Sequence, residues 1–221
     1  MDALDRPVWS ALTGPQARLA TGGGAGWRID PGYGPFAAAA PGHEAALARL
    51  LRDHADTLWL IEPAPVAAPP GCVVRRTAHV VQMIADAPVA LDPAIAQLGE
   101  ADVPAMTALA QATQPGPWGP LTWRYGPFYG IWREGRLIAM AGERMRPDAA
   151  IIEVSGVCTD PAWRGQGLAA ALIRRVMAGH RARGAASFLH SFADNEAALA
   201  LYRSLGLVRH GTRVVTVLGK A

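Results

Sequence analysis

The chain has 221 residues, 51% of them hydrophobic and 18% charged, with a formal net charge of +3. That is enough apolar material for a packed core of one or two domains and too much for a disordered chain. No run of about 18 apolar residues marks a membrane span, the acidic start Met1-Asp2-Ala3-Leu4-Asp5 lacks the apolar stretch of a secretory leader, and so mild a charge does not by itself point to nucleic acid.

The two cysteines, Cys72 and Cys158, are too few for a disulfide scaffold and lack zinc-ligand spacing, so a reducing cytoplasm is the expected compartment. The six histidines are scattered, and no metal site is expected. Charge is uneven. Residues 1–90 carry 7 basic and 8 acidic groups, whereas residues 91–221 carry 14 and 10, so an anion site belongs in the second part. Lys220 is the only lysine, which fits codon usage in a GC-rich genome better than a functional choice of arginine.

Along the first ninety residues, Gly22-Gly23-Gly24, Pro31-Gly32, Pro63-Ala64-Pro65 and Pro69-Pro70-Gly71 punctuate the chain as turns and loops. Between them, Ala46, Leu47, Leu50 and Leu51 predict a helix over 42–53, and residues 57–61 and 73–84 read as strands. This is a small α+β unit without a catalytic motif, expected to pack against or shape a substrate site. We therefore divide the chain into an N-terminal unit, 1–90, and a second domain, 91–221.

The second part begins with a short strand, 94–98, and a helix from Val103-Pro104 that Asp102 can cap. Residues 116–130 are an aromatic-rich loop with room for a short helix. Strands 128–133 and 136–145 are joined at Glu134-Gly135, a hairpin signal, and a third strand covers 151–158. Leu168, Leu172 and Val176 repeat at i+4 and predict a helix over 168–183, stopped by Gly184. A strand at 186–192, a helix from Asp194 or Asn195 to Leu205, and strand segments 208–209 and 214–218 complete the pattern.

The chemistry sits in Asp160-Pro-Ala-Trp-Arg-Gly-Gln-Gly-Leu-Ala-Ala170, between a strand and the long helix. Gly165 and Gly167 leave the backbone open to close approach. The first N–H groups of the helix lack internal acceptors and favour an anion, and Arg164 adds a positive charge. The pattern departs from a dinucleotide fingerprint, because Ala170 replaces the third glycine and no acidic residue follows until Asp194, and the Gly-Lys-Ser/Thr of a nucleotide P-loop is absent.

Arg164-Gly-Gln-Gly167-Leu-Ala169 resembles the signature of the GCN5-related N-acetyltransferases (GNAT). Glu153-Val-Ser-Gly-Val-Cys-Thr-Asp-Pro161 looks like that family's central strand, and residues 195–207, from Asn195 through Leu-Tyr202 to Leu-Gly-Leu207, look like its next signature helix. The similarity spans about residues 92–219 and is nearest to the FR47-like subgroup. The first ninety residues lie outside it; a degenerate half-copy of the same fold is one reading of them.

The resemblance implies an α+β GNAT fold, a mixed, mostly antiparallel twisted sheet flanked by helices. It implies an N-acetyltransferase that passes an acetyl group from acetyl-CoA to a primary amine by direct attack, with no metal, no nucleic acid and no membrane partner. A non-catalytic acyl-CoA sensor and an enzyme using another acyl-CoA are the alternatives. Strands 151–158 and 186–192 would splay to admit the thioester arm, held by the backbone of Val157, Cys158 and Thr159. Arg164, Gly165, Gln166, Gly167, Leu168, Ala169 and Ala170 would cradle the pyrophosphate, with Arg174 and Arg175 as candidates for the 3′-phosphate. Asn195 is either a cofactor contact, a helix cap, or both. Tyr202, two turns on, is the implied acid toward the leaving thiolate or else a core aromatic. His190 and Glu153 are the candidate bases. Cys158 reads as a buried thiol rather than an acylated nucleophile. Trp118, Trp123, Tyr125, Phe128, Tyr129 and Trp132 are divided between core and an acceptor wall, with Glu143 and Asp148 as acids to steer a cationic amine. Acceptor identity and oligomeric state are not encoded in any of these features.

Overall fold

The computed structural model describes residues 2–54, 56–85 and 95–221. In chain order the elements are α1 (Pro7–Thr13), β1 (Ala20–Gly23), β2 (Gly26–Ile29), β3 (Ala37–Ala39), α2 (Ala46–His54), β4 (Thr57–Glu62), β5 (Cys72–Ala85), β6 (Ala96–Leu98), α3 (Val103–Thr113), β7 (Phe128–Arg133), β8 (Arg136–Glu143), β9 (Ile151–Thr159), α4 (Leu168–Ala182), β10 (Ala186–Phe192), α5 (Glu196–Ser204) and β11 (Val208–Lys220). None of the described helices is long and apolar enough to cross a membrane.

Eight strands form one sheet in the order β4-β11-β5-β10-β9-β8-β7-β6, and β1–β3 form a separate small sheet. Every neighbouring pair in the large sheet is antiparallel except β9 and β10. The mixed, mostly antiparallel sheet is thus as expected, but its order holds a difference. The segments 208–209 and 214–218 are one strand, with an irregularity between Arg209 and Gly211, and β5 lies between β11 and β10. Two strands from the first ninety residues therefore belong to the large sheet. The division placed at residue 90, and Ala94 of the first expected strand, fall outside the described residues.

The sheet has two covered faces. On one, α4 and α5 pack over Val81, Met83, Tyr129, Ala139, Ala141, Val154 and Leu189. On the other, α3 covers Phe128, Met140 and Cys158, while α1 and the small sheet cover Val80, Phe188, Val215 and Val217. Alternation along each strand sends successive side chains to opposite faces, which is why Phe188 and Leu189 enter different cores.

Two local stops are chemically plain. Glu134 and Gly135, both at positive φ (50° and 73°), make the tight β7–β8 turn. Asn195 caps α5, its side-chain oxygen accepting from Ala198 N at 3.2 Å. Asp102 precedes α3 but its carboxylate turns back to accept from Gly99 N at 2.8 Å rather than capping the helix.

Candidate active site

The central feature is a gap in the sheet. β9 and β10 pair in parallel only at Ile151, Ile152 and Glu153 against Ala186, Ser187 and Phe188. Beyond these, the rest of β9 and β10 separate. On its other edge β9 stays bonded to β8, with Met140 opposite Cys158 and Gly142 opposite Ser155. Gly156 and Val157 thus face Ala141 alone. This is a β-bulge at Gly156, whose φ of +61° an L side chain adopts at a cost. A Cβ there would also lie 2.8 Å from Phe128. The bulge turns β9 away from β10 and leaves the gap side of β9 at Val157 and Thr159 without a strand partner among the described residues, while Cys158 between them pairs with Met140 of β8. The signal for it was the lone glycine inside the strand pattern, which sequence reasoning passed over.

After the end of β9, Gly165 and Gly167 hold φ of +77° and +75°, and beyond their chain neighbours no atom of the described residues lies within 4 Å of where a Cβ would stand on either. Gly167 is the cap of α4 and its carbonyl accepts from Ala171 N. The N–H groups of Leu168, Ala169 and Ala170 therefore lack intrahelical acceptors. No acidic residue stands in the first turn. Arg164 reaches back to Thr159 O at 3.3 Å, and Thr159 Oγ1 is buried without a hydrogen-bond partner among the described residues. Open glycines, free donors and an adjacent guanidinium fit a pyrophosphate well. Arg174 is exposed on the next turn, whereas Arg175 stacks over Tyr129 at 4.1 Å.

Tyr202 packs against the core between the sheet, α4 and α5, against which Val157 and Leu168 also pack. Burial raises its pKa, so the phenol keeps its proton. Asn195 spends its oxygen on the cap, which leaves its amide N–H groups to donate. Cys158 is buried, its thiol pushed up to about 11 by burial, which keeps it a poor nucleophile.

Glu153 and His190 come together, but not as bases facing a substrate. Glu153 is fully buried. Arg144 grips both of its oxygens at 2.8 and 2.7 Å, and Met145 N donates at 3.2 Å. Burial pushes this carboxyl up, but the Arg144 charge and hydrogen bonds, with His190, outweigh it and hold it well below the usual carboxylate range. His190 Nδ1 donates to Glu153 at 2.7 Å, and its Nε2 accepts from the Gln82 amide at 3.0 Å. Gln82 also donates to Leu4 O. The role of Glu153 as a base is corrected by this geometry, since a sequestered, ion-paired carboxylate has no proton affinity to offer near neutral pH. Arg144, nine residues away across a turn, was not singled out in the sequence.

Glu143 is likewise corrected as a steering acid. It is buried beneath α4, bonded by Arg183 and Arg146 and close to His180. Burial pushes its carboxyl up, but these hydrogen bonds and charges hold it down to about 2. Of the six clustered aromatics, Tyr125, Phe128 and Tyr129 are core. Trp118 donates to Thr107 Oγ1, stands edge-on to Phe128, and borders Gly156.

On the face opposite α4, the N-terminal unit and α3 leave a cleft of about 1420 Å³. Trp118, which borders the bulge at Gly156, and Phe192, the last residue of β10, are among its lining residues, so the cleft reaches both strands that bound the gap. Leu121 N donates to Gly32 O, and Thr122 Oγ1 to Tyr33 O, tying the aromatic loop to the N-terminal unit.

The strands β9 and β10 separate just before the glycine loop that opens α4. The sequence model of the acetyltransferase (GNAT) family matches residues 101–207. A GNAT-family protein from Novosphingobium aromaticivorans is 59% identical and shares the whole fold, with a TM-score of 0.97 and full coverage of both chains. The chain belongs to the GNAT acetyltransferases. The N-alpha-acetyltransferase RimI of Mycobacterium tuberculosis is 35% identical over 105 residues, which are 44% of this chain and 65% of that protein. A GNAT protein from Kribbella flavida, 20% identical with a TM-score of 0.61, covers 96% of this chain and 93% of its own, and shares the fold. The GNAT fold here thus takes in the N-terminal strands as well as the residues that carry the motif. Among the described residues no cluster of three or more His, Cys, Asp or Glu could hold a metal.

Proposed function

We propose that this GNAT protein transfers an acetyl group from acetyl-CoA to a primary amine by direct attack within a ternary complex, in the cytoplasm. Within the family the motif remains nearest to the FR47-like subgroup, a reading that rests on the sequence alone. The name of the mycobacterial relative supports a peptide α-amine as acceptor. The observation that carries the reading is the parallel β9–β10 pairing that stops after Glu153 and Phe188, with a donor cradle on one side of the gap and a cleft on the other.

In this reading acetyl-CoA supplies the activated acyl group. The N–H groups of Gly165 to Ala170 and the Arg164 guanidinium hold its pyrophosphate, and the β9 segment Val157, Cys158 and Thr159 fixes its arm as a strand would, through the backbone groups that face the gap. Gln166 completes the loop, and the Asn195 amide donates to the arm. An amine entering from the cleft then meets the thioester in a fixed geometry, and proximity supplies much of the rate. Tyr202 donates its proton to the departing thiolate. The amine gives up its proton to water in the open cleft, because both ring nitrogens of His190 are engaged within the protein. Glu153 and His190 act as positioning residues that fix β9 and β10 at the point where they part.

Tyr202→Phe tests the assignment. Turnover is expected to fall about a hundredfold, in the range for loss of a general acid, while acetyl-CoA affinity stays within about twofold. Undiminished turnover in that variant contradicts the role of Tyr202.

A further inference from the structure

We infer that the Ser155 hydroxyl holds the attacking amine. Its Oγ accepts a hydrogen bond from the amine N–H and aims the nitrogen lone pair at the thioester carbon in the gap between β9 and β10. The inference rests on the acetyl-transfer reading above and adds a catalytic residue to it.

The sheet register places Ser155. Phe128 of β7, Gly142 of β8 and Ser155 of β9 stand in one row, so their side-chain positions share a face of the sheet. That face is the one α3 covers, since Phe128 and Met140, two residues along β8 from Gly142, belong to the α3 core. Val154, the residue before Ser155, enters the opposite core beneath α4. On the β8 side of Ser155, the Phe128 ring fills the space over Gly142, where a Cβ would collide with it, and reaches Gly156. On the other side, extending the Glu153–Phe188 pairing by two residues would set Ser155 beside His190. The strands have parted by then, so the flank of Ser155 away from Phe128 is the gap itself. Trp118 borders Gly156 and also lines the cleft, which connects the cleft to this point.

The polar neighbours on this face are already spent or out of reach. Glu153 is gripped by Arg144, and both ring nitrogens of His190 are engaged. Gln82 Oε1 and Tyr125 OH lack partners, but both atoms are buried. Ser155 differs from all four. It is half-buried, and its hydroxyl makes no hydrogen bond among the described residues. Farther out along the cleft, Arg52 and Arg76 are offset by Asp53 and Asp56, so these charges do not fix the amine. A hydroxyl oxygen can accept from an amine N–H while its own proton turns to water. As the C–N bond forms and the C–S bond breaks, the thiolate takes the Tyr202 proton and the nitrogen gives its proton to water. Ser155 keeps its own proton throughout, and water restores the phenol.

The test uses the full chain, acetyl-CoA and a panel of free-amine peptides and small primary amines, with thiol release and product mass followed. The best acceptor of the wild type is then used throughout. The inference predicts that Ser155→Ala lowers kcat/KM for that acceptor about tenfold, as loss of one hydrogen bond does, with most of the fall in kcat. Calorimetric acetyl-CoA affinity should stay within about twofold, and the pH profile should keep its shape because serine does not titrate in the working range. Ser155→Thr keeps a hydroxyl on the same face and should remain within about threefold of wild type. Ser155→Ala turnover within about twofold of wild type, a loss of acetyl-CoA affinity as large as the loss of turnover, or Ser155→Thr as slow as Ser155→Ala overturns this inference and leaves acetyl transfer standing. No transfer by the wild type to any acceptor overturns both.

Discussion

Replacing Glu153 by glutamine removes the charge at the point where β9 and β10 part. Glu153 is fully buried and Arg144 keeps only 12% of its side chain exposed, so the guanidinium is left in the interior without a counterion. Breaking a buried pair in this way costs about 3–5 kcal/mol. The introduced amide would retain one acceptor oxygen, but its hydrogens would face Arg144 or His190, both of which donate here. The lower end, about 3 kcal/mol, is therefore expected, a large part of a stability of about 5–15 kcal/mol. With a urea slope of about 2 kcal/mol per molar, the midpoint should fall by about 1.5 M. Equilibrium unfolding followed by tryptophan fluorescence reads this directly. The double variant Glu153→Met, Arg144→Met should recover to within about 1 kcal/mol of wild type, because an apolar pair replaces an ion pair at little net cost. A Glu153→Gln midpoint within about 0.2 M of wild type, equivalent to roughly 0.4 kcal/mol, or a double variant as unstable as the single one, refutes the account of this pair.

Two further outcomes follow from the buried acids and the histidine. Glu143 is held from an ordinary 4.5 down to about 2, and Glu153 is also held low. Carboxylates depressed on folding contribute stability that is present above their unfolded value and lost as pH falls through the folded one, so stability should decline between about pH 4.5 and 2, and Glu143→Gln should flatten part of that decline; a wild type equally stable at about pH 6 and pH 3 would be inconsistent with it. His190→Gln should lower kcat by less than about fivefold and keep the shape of the pH profile, whereas loss of a true general base would cost about a hundredfold or more and remove the acid limb.

The second half of the fold was legible because its signals are local. The i+4 stripe of α4, the Glu134-Gly135 turn and the glycines before α4 each act within a few residues. The position of β5 was not legible, because insertion between β10 and β11 is a pairing across more than a hundred residues, and a strand's own pattern does not name its partner. The same holds for the site. The cradle could be read from Arg164 to Ala170, since a helix start carries its own donors. The fate of Glu153 could not, because Arg144 and His190 reach it, and Gln82 holds His190, from three different strands or their ends, and only their convergence turns a candidate base into half of an ion pair. The cleft depends on Trp118, Phe192 and Arg76, residues that look ordinary singly and meet only when the N-terminal unit closes over α3.

The central claim is that the α4 N-terminus and the β9–β10 gap bind acetyl-CoA. Isothermal titration of the wild type, beside an Arg164→Glu, Gly167→Asp variant, tests it most directly. The account predicts micromolar binding to the wild type and at least about a fiftyfold loss in the variant, whose two new carboxylates stand where the free N–H groups and the guanidinium would meet a pyrophosphate. Binding that is absent in the wild type, or unchanged in the variant, contradicts it.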